Sequence, residues 1–543
     1  MIRFSSALIG AVLVVGAGAD VAVAQTSPFI IDRSRIDRTA PPPKPEQAPI
    51  PQPKPENQAG QIALFILKGV QIQGTSLDPK ILSDAAAPYV GRMTDEKVIA
   101  EIAQRISDAY ANAGDVALYT VTVPGQDFSG GTLRLIVTEG YIEHVDVHGD
   151  TDKDVSRVVA MAQKLTAEHP LRRSTLERYL SLIRDLPGLT VDAQLLRGDA
   201  PGAVKLSLGL KQKRYNVALS LNDAGNSLLG RWQGQADVSL YNLFREGEQT
   251  TVSFGTSTLF DRYQYYAISH SETLNDDGLR GAVSYGYLHT RVPSSSLTGD
   301  AQTLQFAASY PLIRSYDENL SLTGSLDGID SSNALLGLAI ANEDIRAARL
   351  SANYSLTDPR SALAIGGSIN FGLGIFGARV TNPATETPDF RKLVVQASYN
   401  HLLGDEWVVR LRGVSQLAFD KLPVSELYAL GGPDFGRAFL QATALGDSAL
   451  AESIEIGFDP KSLSGPWNGI EIFGFADNGD TWYRARSPSP SIHETLASAG
   501  GGIRLPIGTK TKLELSVAKA LSAEGPGLKS GAWRFLFGVT AKY

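Results

Sequence analysis

The amino-acid sequence predicts a mainly β fold, in which a C-terminal antiparallel β-barrel of about 16 strands crosses a membrane and follows two small α+β units. Three observations support this fold class. The final stretch, Trp533–Tyr543, alternates large apolar residues with polar ones, as a strand with one apolar face does. The same period of two, broken by Gly, Asn, Asp and Pro, continues from Tyr215 to the end of the chain. Two helix-containing stretches with one element order precede it.

The region 212–543 alternates as lipid-facing and water-facing sides of a barrel do. In its first predicted hairpin, Ala236 and Val238 fall on one face, and Gln235 and Asp237 fall on the other. A tilted spanning strand of about 9–11 residues uses roughly 20 with its connection, so an even count near sixteen fits and encloses an aqueous lumen. A large soluble β-sandwich or propeller is the alternative interpretation. Two long polar connections, expected to be extracellular, are residues 380–391 and 484–494.

The N-terminus has the features of a secretory signal peptide, which we assign to residues 1–24. A charged start at Arg3, an apolar run and the small residues 22–24 place the cleavage site before Gln25. The mature chain is therefore expected to enter the periplasm of a Gram-negative bacterium. Residues 25–59 follow as a polar segment and linker, whose proline-rich part predicts a stiff, extended spacer.

Two consecutive units, residues 60–140 and 141–211, each show the order βααββ. Helical spacing of apolar residues marks their helices, and a period of two marks their strands. The first unit is predicted as strand 65–74, helices 79–90 and 94–113, and strands 117–123 and 132–138. The second is predicted as strand 141–147, helices 154–165 and 174–185, and strands 189–196 and 203–210.

Composition excludes several classes of function. Because the sequence has no cysteine, disulfides, thiolate nucleophiles and Cys-ligated metal sites are excluded. The net charge of -7 offers no basic surface for nucleic acid, so no nucleic-acid partner is expected. A mean hydropathy of -0.07 is too polar for a helical membrane protein.

The sequence lacks the common enzyme motifs. It contains no Gly-x-Ser-x-Gly elbow, no His-Glu-x-x-His helix and no phosphate-binding loop, so we expect neither an enzyme nor a bound cofactor. His144, Asp146 and His148 share one face of a predicted strand, where three such side chains could converge on a metal ion. A solvated strand face is the ordinary interpretation of that pattern, and no metal site is expected.

Two stretches stand out in the barrel region. Residues 430–439 form a Gly- and Pro-containing turn cluster that presents Arg437 beside aromatic residues. In residues 470–482, Phe475 and Asp477 share one face with a second aromatic residue and a second carboxylate, and this face is expected to point inward. An inward Asp opposite a loop Arg favours an ion pair in a partly dry lumen.

These stretches resemble the outer-membrane transporters of two-partner secretion, of the TpsB type (ShlB/FhaC/HecB-like), within the Omp85 superfamily. The two βααββ units are similar to the POTRA domains of that family, with residues 131–142 similar to the junction between them. Residues 222–225 with 241–243 resemble the first hairpin of its barrel, and residues 310–314 resemble a later strand. The resemblance therefore covers nearly the whole mature chain.

The resemblance also implies a functional site. Residues 430–439 take the place of a loop that folds back into the lumen and whose core is Val-Arg-Gly-Phe or Val-Arg-Gly-Tyr. Arg437 and Phe439 match this core, whereas Gly436 stands for Val and Ala438 stands for Gly. Because Gly adopts a positive φ that costs Ala about 1 kcal/mol or more, a different shape of the loop tip is expected here.

Asp477 matches the strand carboxylate that receives the loop Arg in that superfamily. Gly479 belongs to the same strand motif, and Phe475 and Glu452 are expected to support the site. Relatives also carry an N-terminal helix that plugs the pore, for which residues 25–39 are short.

The function implied by the resemblance is protein export. The POTRA domains would bind an unfolded partner exoprotein of the adhesin or cytolysin type in the periplasm, by adding it as a strand to a sheet edge. The barrel, inserted into outer-membrane lipid by the barrel-assembly machinery, would pass it outward. An Omp85-type assembly factor that inserts other barrels is the alternative. A diffusion porin or uptake channel is disfavoured because porins lack the duplicated soluble units.

Overall fold

The computed structural model describes residues 56–57, 64–150, 155–223, 225, 230–258, 260–293, 297–335, 338–383, 385–463, 465, 468–486 and 490–543. The predicted signal peptide, and the predicted linker apart from residues 56–57, lie outside the described residues. The predicted fold class is confirmed: the chain is mainly β, with few helices and a closed barrel.

The first α+β unit packs two helices on a four-stranded sheet. Asp78 and Asp95 start the helices by accepting hydrogen bonds from the backbone N–H groups of Lys80 and Val98. The second helix ends at Gly114, after burying one apolar face against the sheet. The elements are β1 (Glu56–Asn57), β2 (Phe65–Ile66), β3 (Gly69–Gln73), α1 (Pro79–Ala86), β4 (Met93–Thr94), α2 (Glu96–Ala113), β5 (Tyr119–Val123) and β6 (Thr132–Glu139). The order in this sheet is β1-β5-β6-β3.

The second unit repeats this arrangement with its own core. Its elements are β7 (Tyr141–Asp150), α3 (Ser156–Gln163), α4 (Arg173–Arg184), β8 (Leu189–Arg197) and β9 (Ala203–Gln212), with the sheet order β7-β9-β8. In both units the first long strand pairs in parallel with the last, and the last pairs antiparallel with the strand before it. Apart from the short strands β1, β2 and β4 of the first unit, the element order predicted for these two stretches is the observed one.

The barrel follows directly after the second unit. Each strand pairs antiparallel with its neighbour, and the last strand closes on the first where Ala541 faces Leu219. The strands are β10 (Tyr215–Asn222), β11 (Gln233–Tyr241), β12 (Glu248–Ser257), β13 (Tyr263–Thr273), β14 (Arg280–Val292), β15 (Leu297–Arg314), β16 (Glu318–Leu335), β17 (Leu338–Thr357), β18 (Ser361–Gly372), β19 (Arg391–Leu403), β20 (Trp407–Ala418), β21 (Tyr428–Leu430), β22 (Ala444–Gly446), β23 (Ser448–Phe458), β24 (Glu471–Tyr483), β25 (Ile492–Ile507), β26 (Thr511–Glu524) and β27 (Trp533–Lys542). All of these except β21 and β22 belong to the closed barrel, which gives the sixteen strands expected.

The two sides of the barrel wall differ as the alternation predicts. In β27, Trp533 and Phe535 are 62% and 71% exposed on the outer face, whereas Arg534 between them is 7% exposed on the inner face. Apolar side chains therefore form the outer surface of the wall and polar ones the lumen surface. Within the described residues, no helix is long and apolar enough to cross a membrane.

The second α+β unit lies at the end of the barrel where β10 begins. Arg314 holds Asp185 through two contacts of 2.7 Å, and the Tyr179 hydroxyl donates to Asp277 at 2.8 Å. Because both barrel partners lie at or beside short turns of this end, the connection from β20 to β23 lies at the opposite end. The connections after β18 and β24, predicted as long extracellular loops, share that opposite end.

Candidate functional site

The connection between β20 and β23, residues 419–447, folds into the barrel. Its two short strands, β21 and β22, pair with each other and form a stem that packs on the inner surface of β23, β24 and β25. Leu430, at the end of the stem next to the loop tip, is buried against Gly479 of β24. A Cβ atom at position 479 would lie 2.6 Å from Leu430 Cδ1, so glycine at this position allows the stem to approach the wall.

The loop tip uses glycine at a different position from the one expected. Gly436 has φ +72°, and Gly431 and Gly432 also have positive φ, whereas Ala438 does not. The Phe439 N–H donates to the Gly436 carbonyl at 2.9 Å and closes a turn over Arg437 and Ala438. Ala438 therefore needs no left-handed conformation, because the left-handed residue precedes Arg437 instead of following it.

Arg437 lies buried against the wall formed by β23 and β24. Its Nη1 donates to Glu455 Oε2 at 3.0 Å, and its Nη2 donates to Ser453 Oγ at 3.1 Å. Its backbone N–H donates to Asp477 Oδ2 at 3.2 Å, and its Nε lies 3.4 Å from the same oxygen. The guanidinium carbon is 3.9 Å from the centre of the Phe475 ring, which favours a cation–π contact.

The structure thus brings Arg437 together with Phe475 and Asp477 of β24, as the sequence analysis expected for Arg437 and Asp477. Asp477 also accepts a hydrogen bond from Ser498 Oγ of β25 at 3.1 Å. The side chains of Arg437 and Asp477 are 5% and 0% exposed, so their attraction is little screened by water.

Glu455 belongs to the candidate site, and the sequence analysis did not select it. It accepts from Arg437, from Arg410 at 3.0 Å and from Arg504 at 2.7 Å, so three guanidinium groups share one carboxylate. Glu471 of β24 takes a second hydrogen bond from Arg410, at 2.6 Å. The available signal was the alternation of β23, since Glu455 lies two positions after Ser453 on the inner face.

Residues 203–505 match the protein-family model described as haemolysin secretion/activation protein ShlB/FhaC/HecB. Residues 65–140 match the model described as POTRA domain, ShlB-type. The first match covers more than half of the chain. The chain belongs to the ShlB/FhaC/HecB family.

Individual relatives agree with this assignment. The outer membrane transporter CdiB of Dickeya dadantii (strain 3937) is 23% identical over 476 residues, which are 84% of this chain and 82% of the relative. The solved structure of CdiB from Escherichia coli has a TM-score of 0.69 at 20% identity and covers 94% of this chain and 95% of that one. CdiB from Acinetobacter baumannii has a TM-score of 0.62 at 16% identity and covers 91% and 95%. Both structures share the fold of this chain.

The protein is therefore an outer-membrane transporter of two-partner secretion, with its POTRA domains on the periplasmic side. The resemblance inferred from the sequence is confirmed. The family is one of transporters and not of enzymes.

Phe439 connects the loop tip of this transporter to a third part of the wall. Its ring is buried in an apolar cluster with Leu430, Phe475 and Leu496. Its carbonyl accepts a hydrogen bond from Arg534 Nη1 of β27. The tip therefore contacts β23, β24 and β27, which fixes its position across the inner wall.

Glu452, expected to support the site, lies elsewhere. It is exposed on the outer face of β23, beside Leu450 and Ile454, which are 50% and 45% exposed. Successive residues of a strand point to opposite faces, so the two inward neighbours of Glu452 are Ala451 and Ser453. Glu452 therefore does not lie in the lumen site, and the assignment is corrected. The glutamate of β23 that contacts Arg437 there is Glu455.

The candidate metal pattern lies on β7 of the second periplasmic unit. Asp146 Oδ2 and His148 Nδ1 are 3.9 Å apart, and their side chains are largely exposed. Among the residues that the structure describes, no three His, Asp or Glu side chains are arranged to hold a metal ion. The structure therefore does not bring His144, Asp146 and His148 together as a ligand set.

Proposed function

We propose that this transporter secretes an unfolded partner exoprotein, which its periplasmic units recognise and its barrel passes to the cell surface. The loop 419–447 acts as the gate of that pore. The observation that carries this proposal is the contact of Arg437 with Glu455 and Asp477, which holds a long loop inside the lumen. A chain can pass only where this loop leaves room or moves.

Recognition in the periplasm uses backbone pairing. In the second unit, β8 lies at one edge of its sheet, after the order β7-β9-β8. An extended segment of the exoprotein adds to a sheet edge through main-chain hydrogen bonds, so affinity does not require a folded surface. The partner is of the adhesin or cytolysin type, in keeping with a family described by haemolysin secretion.

In this proposal, each segment of the chain has its own role. Residues 1–24 act as the signal peptide, 25–59 as the linker, 60–140 and 141–211 as the POTRA domains, and 212–543 as the barrel. The barrel-assembly machinery inserts the barrel into outer-membrane lipid. Because the sequence carries no phosphate-binding loop, folding of the exoprotein outside the cell supplies the driving force.

The test co-expresses the full chain with a candidate exoprotein from its own genome and measures how much exoprotein reaches the medium or cell surface. Deletion of residues 61–140 should leave a heat-modifiable barrel in the outer membrane and abolish secretion, because the units have separate cores. Unchanged secretion by the deleted chain would refute recognition by the first unit. Secretion failing while other outer-membrane proteins also fail to insert would instead indicate an assembly factor.

A further inference from the structure

The inward loop contacts the barrel wall at a second place, near its start. A short 3-10 turn, Val424–Glu426, follows β20 and precedes the stem strand β21. Glu426 lies in this turn, and its side chain is 0% exposed. It is eleven positions before Arg437, so the two residues mark the base and the tip of one loop.

Glu426 is held by two cations from different strands. Arg349 Nη2 of β17 donates to Glu426 Oε1 at 2.8 Å, and Lys392 Nζ of β19 lies 2.9 Å from Glu426 Oε2. Lys392 also donates to the Glu426 carbonyl at 2.8 Å. Gln416 of β20 donates to the same carbonyl at 3.1 Å. The backbone and the side chain of Glu426 are therefore both fixed to the wall.

The cations have further partners of their own, which completes a buried network. Arg349 donates to Asp327 of β16 at 2.7 Å and to Asn370 of β18 at 2.9 Å. Arg349 and Lys392 together balance the charges of Glu426 and Asp327. Networks of this kind stabilise one arrangement strongly when every member is satisfied.

A second carboxylate holds the backbone of the same turn. Glu343 of β17 accepts from the N–H groups of Val424 at 2.9 Å and Ser425 at 3.2 Å. The two ends of the loop are also joined, since Leu422 N–H donates to Asp447 at 2.7 Å. Arg486 donates to Asp447 and to the Leu422 carbonyl, both at 2.8 Å. The base of the loop is thus fixed on β16–β20, whereas its tip contacts β23, β24 and β27.

The two attachments differ in how their charges are paired, although both contain buried polar atoms without a partner. At the tip, Arg437 Nε and Asp477 Oδ1 are buried without a hydrogen-bond partner among the described residues. At the base, Ser425 Oγ and Arg486 Nε are likewise buried without a hydrogen-bond partner among the described residues. At the tip, Arg437 shares the single carboxylate of Glu455 with two other guanidinium groups. At the base, two cations bind the single carboxylate of Glu426. The tip attachment is therefore the weaker of the two.

We propose that Glu426, with Arg349 and Lys392, is a positioning site that acts as the fixed hinge of the gate, while the Arg437 contact at the tip is the part that opens. Passage of the exoprotein releases the tip and swings the stem, and the base stays bound to β17 and β19. The inference rests on the proposed gating role of the loop. It concerns loop position, so it can fail while secretion itself is confirmed.

The test measures two distances in the purified full chain by pulsed electron paramagnetic resonance. Because the sequence has no cysteine, spin labels attach only where cysteines are introduced. One pair joins the tip to a periplasmic turn, with Leu440→Cys and Asp405→Cys. The other pair joins the base to the same turn, with Leu427→Cys and Asp405→Cys. Each pair should give one narrow distance distribution in the otherwise unchanged chain.

Substitutions at the tip and at the base should then affect different distance distributions. Arg437→Ala should broaden the tip distribution and leave the base distribution narrow. Glu426→Gln and Lys392→Met should broaden the base distribution. Lys392→Arg, which retains the charge, should leave it narrow. Each base variant should also open the channel at least about tenfold more often in planar bilayers, since one partner of a buried ion pair is lost.

The matched control is Asp237→Asn, an inward carboxylate of β11 that bonds Gln235 and Ser253 on the wall. It should change neither distribution. Heat-modifiable migration identifies any variant that fails to insert, and the base is then judged on whichever of Glu426→Gln and Lys392→Met does insert. The hinge would be overturned if Arg437→Ala broadened both distributions equally, or if the inserted base variants kept the base distribution narrow.

Discussion

The guanidinium of Arg437 donates its shortest hydrogen bond to Glu455, at 3.0 Å, while its Nε stays 3.4 Å from Asp477. Glu455 therefore accepts the side-chain charge of the loop, and Asp477 mainly accepts the backbone N–H of the same residue. Glu455 therefore orients the side chain of Arg437, and Asp477 orients its main chain.

Glu455→Gln should therefore impair secretion more than Asp477→Asn does. Removing the Glu455 charge leaves Arg437, Arg410 and Arg504 facing one another, whereas Asp477→Asn keeps an oxygen that accepts the Arg437 N–H. Secreted exoprotein per inserted barrel measures the difference. Glu452→Gln, three residues away on the outer face, is the control and should secrete normally. Equal loss from both lumen variants would contradict the division of roles.

Arg437→Lys should not act as a conservative change. A lysine has one ammonium group, which cannot reach Glu455 and Ser453 together while covering the Phe475 ring. We expect impaired export from an inserted barrel, close to that of Arg437→Ala. Arg437→Ala combined with Asp477→Ala should be scarcely worse than either single change, because the residues act on one contact. Strictly additive losses of secretion would show that they act separately.

Gly436→Ala tests the position of the left-handed residue. At φ +72°, an alanine costs about 1–2 kcal/mol, so the tip should bind the wall more weakly and channel openings should become more frequent. Ala438→Gly should have little effect, because position 438 needs no positive φ. Single-channel recordings of both variants provide the comparison. A larger effect from Ala438→Gly would show that the strained position had been assigned wrongly.

The stem should respond to a change of volume at Gly479. In Gly479→Ala the new methyl group meets Leu430 and Ala451, and overpacking of this kind costs about 1–3 kcal/mol. Leu430→Ala in the same chain makes room and should restore secretion. Failure of this rescue, with both variants inserted, would mean that position 479 acts through something other than the stem.

The sequence predicts the architecture well and the site in part. Alternation and turn residues are local signals, so they gave the sixteen strands and the element order of both soluble units. The residue pattern also selects Arg437 and Asp477, and the resemblance to a known family implies that they belong to one site. Glu455 and Glu426 were not found, because their roles depend on which strands face each other across the lumen. The same residue types line much of the wetted wall, and only the fold shows which of them meet the loop.

The connection after β18 should give the transporter a pH dependence through Glu386. Burial, followed by the nearby charge of Glu343, raises the pKa of Glu386 to about 7, and one of its oxygens is buried without a partner among the described residues. In the unfolded chain this carboxyl ionises near its ordinary value, so between that value and pH 7 the folded state binds more protons. Stability therefore falls as pH rises through this window and levels off above it.

Glu386→Gln cannot ionise and should remove this part of the pH dependence. Thermal unfolding of both chains in detergent, from pH 4.5 to 8, measures it. Parallel curves for the two chains across that range would show that Glu386 does not titrate there.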